Sequence, residues 1–174
     1  MHYEPNHVTK YIITNSTYCL ISEPYRNTVH TLILDKYGQV TVPFQPLRII
    51  RHTCSLHGTT YEAAKHHAKE FFGHNRHKMP IMVAYNFGEP CVLFPLFSPK
   101  SKQNIWVAVN AIINIEPQNE STLVTFLDGS DRLFPVHLKS FNQQYVRAVI
   151  YTKNIIFFPY DRYITGHIKN LSHD

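Results

Sequence analysis

The sequence predicts an α+β fold: one domain of mostly antiparallel β hairpins with about three helices. Three observations carry that expectation. Short β-branched runs alternate with turn residues early and late in the chain, two central stretches repeat apolar residues at helical spacing, and a third does so near the C-terminus. At 174 residues and 44% hydrophobic the chain can bury one sizeable core. With 17% charged and 13% aromatic residues, its composition is neither disordered nor low-complexity. The expected organisation is a body over residues 1–153 and a tail over 154–174. The tail's IIFFPY segment is apolar enough to dock on the body or on a partner.

The first elements are strands at 11–14, 17–21, 28–34 and 39–42, read as two hairpins. Asn15-Ser16 and Asp35-Lys36-Tyr37-Gly38 supply the turn chemistry between them. Pro46 suits the first turn of a helix that runs to about 57 and stops at Gly58, the residue type most tolerant of a left-handed cap. Thr59 and Glu62 have capping-box spacing, opening a second helix that Gly73 closes. The runs PIMVAY, CVLFPL, NIWVAV and AIINIE read as strands, and TLVTFLDGSDRLFPV as a hairpin turning at Asp128-Gly129. A last helix is expected over 138–152. Strand, Asp- and Gly-bearing turn, strand and helix thus occur twice, with Asp35 and Asp128 at corresponding points of a pseudo-repeat.

Several function classes lack support. The N-terminus MHYEPNHVTK has no apolar stretch of the signal-peptide kind, and no run approaches the roughly 18 apolar residues of a membrane span, so a cytoplasmic protein without membrane contact is expected. Cys19, Cys54 and Cys91, an odd set spaced by 35 and 37 residues, form no disulfide framework and are expected reduced and buried. There is no G-x-S-x-G motif and no phosphate-cradling glycine loop. Cys54 with His52 or His57 is a nominal thiol and imidazole pair, but helical spacing puts Cys54 beside Leu47 and Ile50 in the core. Asp128 and Asp131 flank a turn glycine, where Asp is favoured for backbone reasons. The chain is read as no enzyme, with no cofactor.

The informative stretch is CSLHGTTYEAAKHHAKEFFGHNRHK, residues 54–78. Cys54, His57, His74 and His77 have the spacing of a zinc set. A helix of about 13 residues between the pairs would hold them about 20 Å apart, too far for one ion. A zinc-binding regulator therefore requires that helix not to form. Along the helices, Leu47, Ile50, Cys54 and His57 share one stripe, as do Tyr61, Ala64, Ala68, Phe71 and Phe72. Glu62, Lys65, His66 and Lys69 lie opposite, toward solvent or a ligand. Charge is concentrated here too. Between Leu47 and Pro80, Arg48, Arg51, Lys65, Lys69, Arg76 and Lys78 face only Glu62 and Glu70, which is +4 of the chain's +5, beside six of its twelve histidines. Such a zone is the footprint of a polyanion partner, or else a solvated helix face.

The run Arg51-x-x-Cys54-x-x-x-Gly58-x-x-Tyr61, followed in order by Pro80-Ile81, Leu93-Phe94-Pro95, Ser98, Ile105-Trp106-Val107, Val124-x-Phe126, Gly129, Ser140-Phe141, Gln144 and Arg147-Ala148, resembles the ComK family of competence transcription factors. The likeness covers about 28–153. It implies a sequence-specific activator of DNA-uptake genes in a low-GC Gram-positive bacterium. Such an activator binds AT-rich double-stranded DNA mainly through the minor groove, as a homo-oligomer, and an adaptor with an ATP-dependent protease controls its level. Arginine or lysine in a narrow A-tract minor groove reads its width. The candidate contact surface is Arg48, Arg51, Lys65, His66, Lys69, Arg76 and Lys78, joined by Arg147. Where the family places Gly-Arg-Lys after the tyrosine, this chain has Glu62-Ala63-Ala64-Lys65, which implies weaker or more pH-dependent DNA affinity. Where the family has an aromatic before the glycine, this chain has His57, which assigns that position to packing.

Two other readings stay open. The helix pair around Gly58 has the lengths of a helix-turn-helix that would send Lys65, His66 and Lys69 into a major groove. Alternatively, the fold serves as a regulatory protein-interaction module with weakened DNA binding, presenting the IIFFPY tail and FPLFSP at 94–99. The order of the C-terminal elements also resembles half of a LytTR-type DNA-binding domain, on element order alone.

Overall fold

The computed structural model describes residues 6–7, 10–86 and 88–157. Within it three helices and ten strands form an α+β fold with two sheets.

The first three long strands are β2 (Thr17–Tyr25), β3 (Thr28–Asp35) and β4 (Gly38–Val42), preceded by a two-residue β1 (Asn6–His7). They form a meander, not two separate hairpins, because β3 pairs on both edges. Its run Thr31–Leu34 is buried, so its backbone groups need a strand on each side. The expected strand at 11–14 does not form. The segment is anchored elsewhere: the Ile13 backbone N–H donates to Thr53 Oγ1 at 3.1 Å, and the Tyr11 side-chain hydroxyl donates to Asp35 Oδ2 at 2.5 Å.

Helix α1 (Pro46–Leu56) begins with Pro46 in its first turn and ends as expected at Gly58, where φ is 73°. Thr59 N–H reaches Cys54 O at 3.0 Å and Gly58 N–H reaches Ser55 O at 3.2 Å, the paired bonds of a Schellman cap. Helix α2 (Tyr61–Phe72) is capped by Thr60, one residue later than the spacing suggested. Thr60 is extended and its Oγ1 accepts from Ala63 N–H at 3.0 Å, a bond that Thr59, already tied into the α1 cap, does not make.

Strands β5 (Ile81–Asn86), β6 (Glu89–Pro95) and β7 (Ile105–Ala108) follow, then a 3-10 turn at Val109–Ala111. β8 (Ile112–Gln118), β9 (Ser121–Phe126) and β10 (Asp131–Phe134) make the small sheet, and α3 (Leu138–Phe157) closes the described chain. α3 runs five residues past its expected end at 152, so the segment expected as a tail starts as helix; 158–174 lie outside the described residues.

The large sheet has the order β1-β4-β3-β2-β7-β6-β5 and the small one β10-β9-β8. All pairings are antiparallel except β1 with β4. Trp106 pairs with Pro95, the neighbour of Phe94, so Trp106 and Phe94 point to opposite faces. Trp106 meets Tyr61 of α2 edge-on at 6.5 Å, and Phe94 meets Phe141 of α3 at 5.6 Å. The α2 layer and α3 thus cover opposite faces. On the α3 side, Phe141 stacks on Phe134, Phe134 meets Phe126, and Phe126 stacks on Tyr18 of β2 at 5.2 Å, which binds the small sheet to the large one.

The two hairpin-and-helix units share more than order. Asp35 Oδ1 accepts from Tyr37 N–H at 3.0 Å, and Asp128 Oδ1 accepts from Ser130 N–H at 2.9 Å, the same turn in each. Thr31 Oγ1 donates to Phe44 O at 2.5 Å and Thr122 Oγ1 to Val136 O at 2.8 Å, each tying the first strand to the residue that follows a proline before the helix.

Candidate nucleic-acid interface

Amphipathic spacing buries Ile49, Ile50, Thr53 and Cys54 of α1 and Tyr61, Ala64 and Ala68 of α2, which leaves the helices' other faces free. Arg51, Glu62, Lys65 and Lys69 project from those faces. They form one wall of a cleft of about 450 Å³. The segment after α2 supplies Arg76, His77 and Lys78, and the loop between β6 and β7 supplies Ser98, Pro99 and Lys100. Six cations and a single acid, Glu62, line it, and Glu62 Oε1 is already occupied by Arg51 Nη2 at 2.7 Å. Clustered like charge beside low-dielectric walls focuses the field on an approaching anion.

Local structure fixes these side chains. Lys78 holds a left-handed φ of 57°, uncommon for a residue with a side chain and of the kind found at functional sites. Asn104, buried at the end of the β6–β7 loop, donates to Ser98 O at 3.0 Å and accepts from Phe97 N–H at 3.2 Å and Ile105 N–H at 2.8 Å. That loop presents Lys100 and Lys102 to a second hollow of about 290 Å³, which shares Leu47, Pro99 and Lys100 with the cleft.

Of the residues named from sequence, Arg51, Lys65, Lys69, Arg76 and Lys78 come together in the cleft. Arg48 lies one turn before Arg51, its guanidinium 4.1 Å from the centroid of the Phe44 ring. Arg147, on α3, lies close enough to Arg76 that burial first, and the Arg76 charge second, lower its pKa. His66 is not part of the lining; it is exposed, with Nε2 3.8 Å from Glu70 Oε1, an oxygen that His74 Nε2 also approaches at 2.9 Å. Lys100 and Lys102 were missed. Their signal was SPKSKQ, turn chemistry with two lysines between two apolar runs, outside the stretch where charge was densest.

The position assigned to packing at His57 is a correction: His57 is exposed at the C-cap of α1, because the buried stripe turns through Ile50, Thr53 and Cys54 and ends before it. α2 forms over twelve residues, about 18 Å, between the two halves of the zinc-like set. Among the described residues no group of three His, Cys, Asp or Glu side chains is placed to hold a metal ion. Cys54 is fully buried, and burial raises its thiol pKa to about 11, unlike a reactive thiolate. FPLFSP is not a free apolar segment: Phe94, Pro95 and Leu96 are buried. No helix among the described residues is long and apolar enough to cross a membrane.

Comparison with known proteins gives the same family as the residue pattern. The model of the ComK protein family matches residues 8–159. The chain is 28% identical over 145 residues to the "Competence transcription factor" of Bacillus subtilis (strain 168), an alignment covering 82% of this chain and 74% of that protein. No solved structure gives a significant match.

Proposed function

The chain belongs to the ComK protein family, and we propose that it is a competence transcription factor that grips double-stranded DNA in its basic cleft. The observation that carries this reading is the set of six cations around one cleft, opposed by a single carboxylate already paired with Arg51. A cleft of that charge takes up backbone phosphates and releases their counterions, so affinity falls steeply with salt. Phosphate contacts position a protein without reading sequence. In our reading specificity is for AT-rich boxes and comes mainly through the minor groove, whose narrow form in A-tracts attracts arginine. Arg48, Arg51, Lys65, Lys69, Arg76 and Lys78 form the contact surface, with Lys100 added, Arg147 beside Arg76, and His66 at its margin. The protein acts in the cytoplasm as a homo-oligomer, as a regulator and not an enzyme, with residues 1–153 as its DNA-binding body and 154–174 as a tail. Its level is set by an adaptor and an ATP-dependent protease.

The test is an anisotropy titration of the full chain against AT-rich inverted boxes and a GC-rich duplex, with salt varied. The reading expects preference for the boxes and a steep salt slope. Replacing the A·T pairs by I·C pairs keeps an A·T-like minor groove and changes the major groove, so retained affinity supports minor-groove contact. Lost affinity would favour α2 in a major groove, as in a helix-turn-helix.

The second reading is a protein-interaction module. What favours it is Val146 and Ile150, apolar, about half exposed and one turn apart on the outer face of α3. No binding to either duplex at low salt would leave that reading standing and remove the first.

A further inference from the structure

Strands β2 and β3 outrun their sheet. Cys19–Ile21 of β2 pair with β7, and Thr31–Asp35 of β3 pair with β4. Ser22 N–H still reaches Asn104 O at 3.1 Å. Beyond that point the pairs Glu23–His30, Pro24–Val29 and Tyr25–Thr28 have only each other among the described strand pairings. The result is a two-stranded ribbon that projects about 10 Å past its neighbours at ordinary strand rise.

An isolated ribbon is marginal in water, and this one is braced at its tip. The Tyr25 ring stacks on His30 with centroids 4.1 Å apart, and the Arg26 guanidinium carbon lies 5.5 Å from the Tyr25 centroid. Thr28 Oγ1 donates to Tyr25 O at 3.0 Å. Arg26 takes a left-handed φ of 51° at the turn and is exposed. Glu23, back at the root, is the only acid in residues 22–30. The ribbon therefore holds a single pre-positioned guanidinium at its outermost point.

Its root joins the basic surface. Ser22 lines the hollow that carries Lys100 and Lys102, and that hollow adjoins the cleft, with Leu47, Pro99 and Lys100 lining both. A polyanion lying in the cleft and continuing over these lysines arrives at the ribbon.

We infer that the β2–β3 ribbon is a second DNA-contacting element, whose tip residue Arg26 enters the minor groove while the cleft holds the neighbouring phosphates. This rests on the cleft being a DNA site. The minor groove, about 6 Å wide, takes an arginine side chain but not a helix. Narrowing at A·T runs strengthens its attraction for that charge. An arginine already stacked on Tyr25 loses less freedom on insertion than a free one. The two elements divide the work: the cleft lysines supply salt-dependent grip on any sequence, and Arg26 supplies preference for AT-rich sites.

Arg26→Gly tests this, because glycine accepts the left-handed turn and only the side chain is lost. Full-length protein is titrated with an AT-rich inverted-box duplex and a GC-rich duplex of equal length, in parallel with Lys69→Ala. The expected result for Arg26→Gly is an AT-to-GC affinity ratio lowered about tenfold, with GC-rich binding changed less than about twofold. Lys69→Ala should weaken both duplexes alike. Arg26→Asn, a second residue tolerant of this backbone, should repeat the loss, and disagreement between the two variants would overturn the assignment. An unchanged ratio in Arg26→Gly would overturn it too, as would an equal loss on both duplexes, which would make Arg26 one more phosphate contact. Wild-type protein that binds neither duplex at low salt is a different failure: it removes the cleft as a DNA site, and the ribbon inference falls with it.

Discussion

Arg51 donates through Nη2 to Glu62 Oε1 at 2.7 Å, tying α1 to α2 in the wall of the basic cleft. Its guanidinium also lies 5.3 Å from the centroid of the Tyr61 ring. Both members of the ion pair are more than half exposed, so the bond contributes no more than about 1 kcal/mol to stability. In the proposed DNA site its larger effect would be on binding, since it occupies an arginine where a phosphate is expected. Glu62→Gln should therefore tighten DNA binding several-fold at low salt and steepen the salt dependence by up to about one unit of slope. Unchanged affinity in that titration would place Glu62 outside the contact zone.

Lys65, Lys69 and Lys100 come from two separated parts of the chain and meet only in the fold. If each meets a phosphate, Lys65→Ala, Lys69→Ala and Lys100→Ala weaken AT-rich and GC-rich duplexes equally and each reduces the slope of log K against log salt by about 0.9. His66→Ala removes a side chain outside the lining and should leave the slope at pH 8 unaltered, which makes it the control for position.

Thr31 and Thr122 carry corresponding hydrogen bonds in the two hairpin-and-helix units, and both are fully buried. Replacing either by valine keeps the shape and leaves a carbonyl, Phe44 O or Val136 O, without that donor. Each substitution should destabilise by about 1–3 kcal/mol, read as a lower urea midpoint at unchanged m-value. Similar losses at both sites would establish the two bonds as equivalent; a neutral Thr31→Val would end that equivalence.

Much of this architecture was legible because it is local. Pro46, Gly58 and Gly73 mark helix ends by backbone chemistry, and the Asp128-Gly129 turn marks a hairpin, so these elements fall where the residues indicate. The errors have tertiary causes. The 11–14 segment has strand composition, but Thr53, forty residues away from Ile13 in sequence, takes its backbone N–H. His57 fits the spacing of the α1 stripe, yet the helix ends at Leu56 and its C-cap, His57, is left in solvent. Charge is densest in the sequence over residues 48–78, whereas Lys100 reaches the same cleft through a loop shaped by Asn104. The Arg26 ribbon depends on where β4 and β7 stop pairing, which periodicity along one strand does not reveal.

The three cysteines give the fold a sign-definite response to alkali. Burial raises the Cys54 thiol pKa to about 11 and those of Cys19 and Cys91 to about 12. A thiol of the unfolded chain ionises near pH 8.5. Between these limits the unfolded state releases a proton that the folded state keeps, so the contribution to stability is complete below about pH 8.5 and declines as pH rises toward the folded values. Each thiol adds about 1.4 kcal/mol of loss per pH unit in that window. Burial also raises the pKa of Tyr11 and Tyr61, with the same sign, but they act from about pH 10 upward. Urea midpoints between pH 8.5 and 10 isolate the thiols: the midpoint should fall across that range, and Cys19→Ala should make the fall shallower by one thiol's share. The same burial predicts that iodoacetamide at pH 8 leaves all three unmodified until urea unfolds the chain. Alkylation of Cys54 in the folded protein would reveal an opening of α1 from β5 that the packing of Ile49, Ile50 and Cys54 argues against.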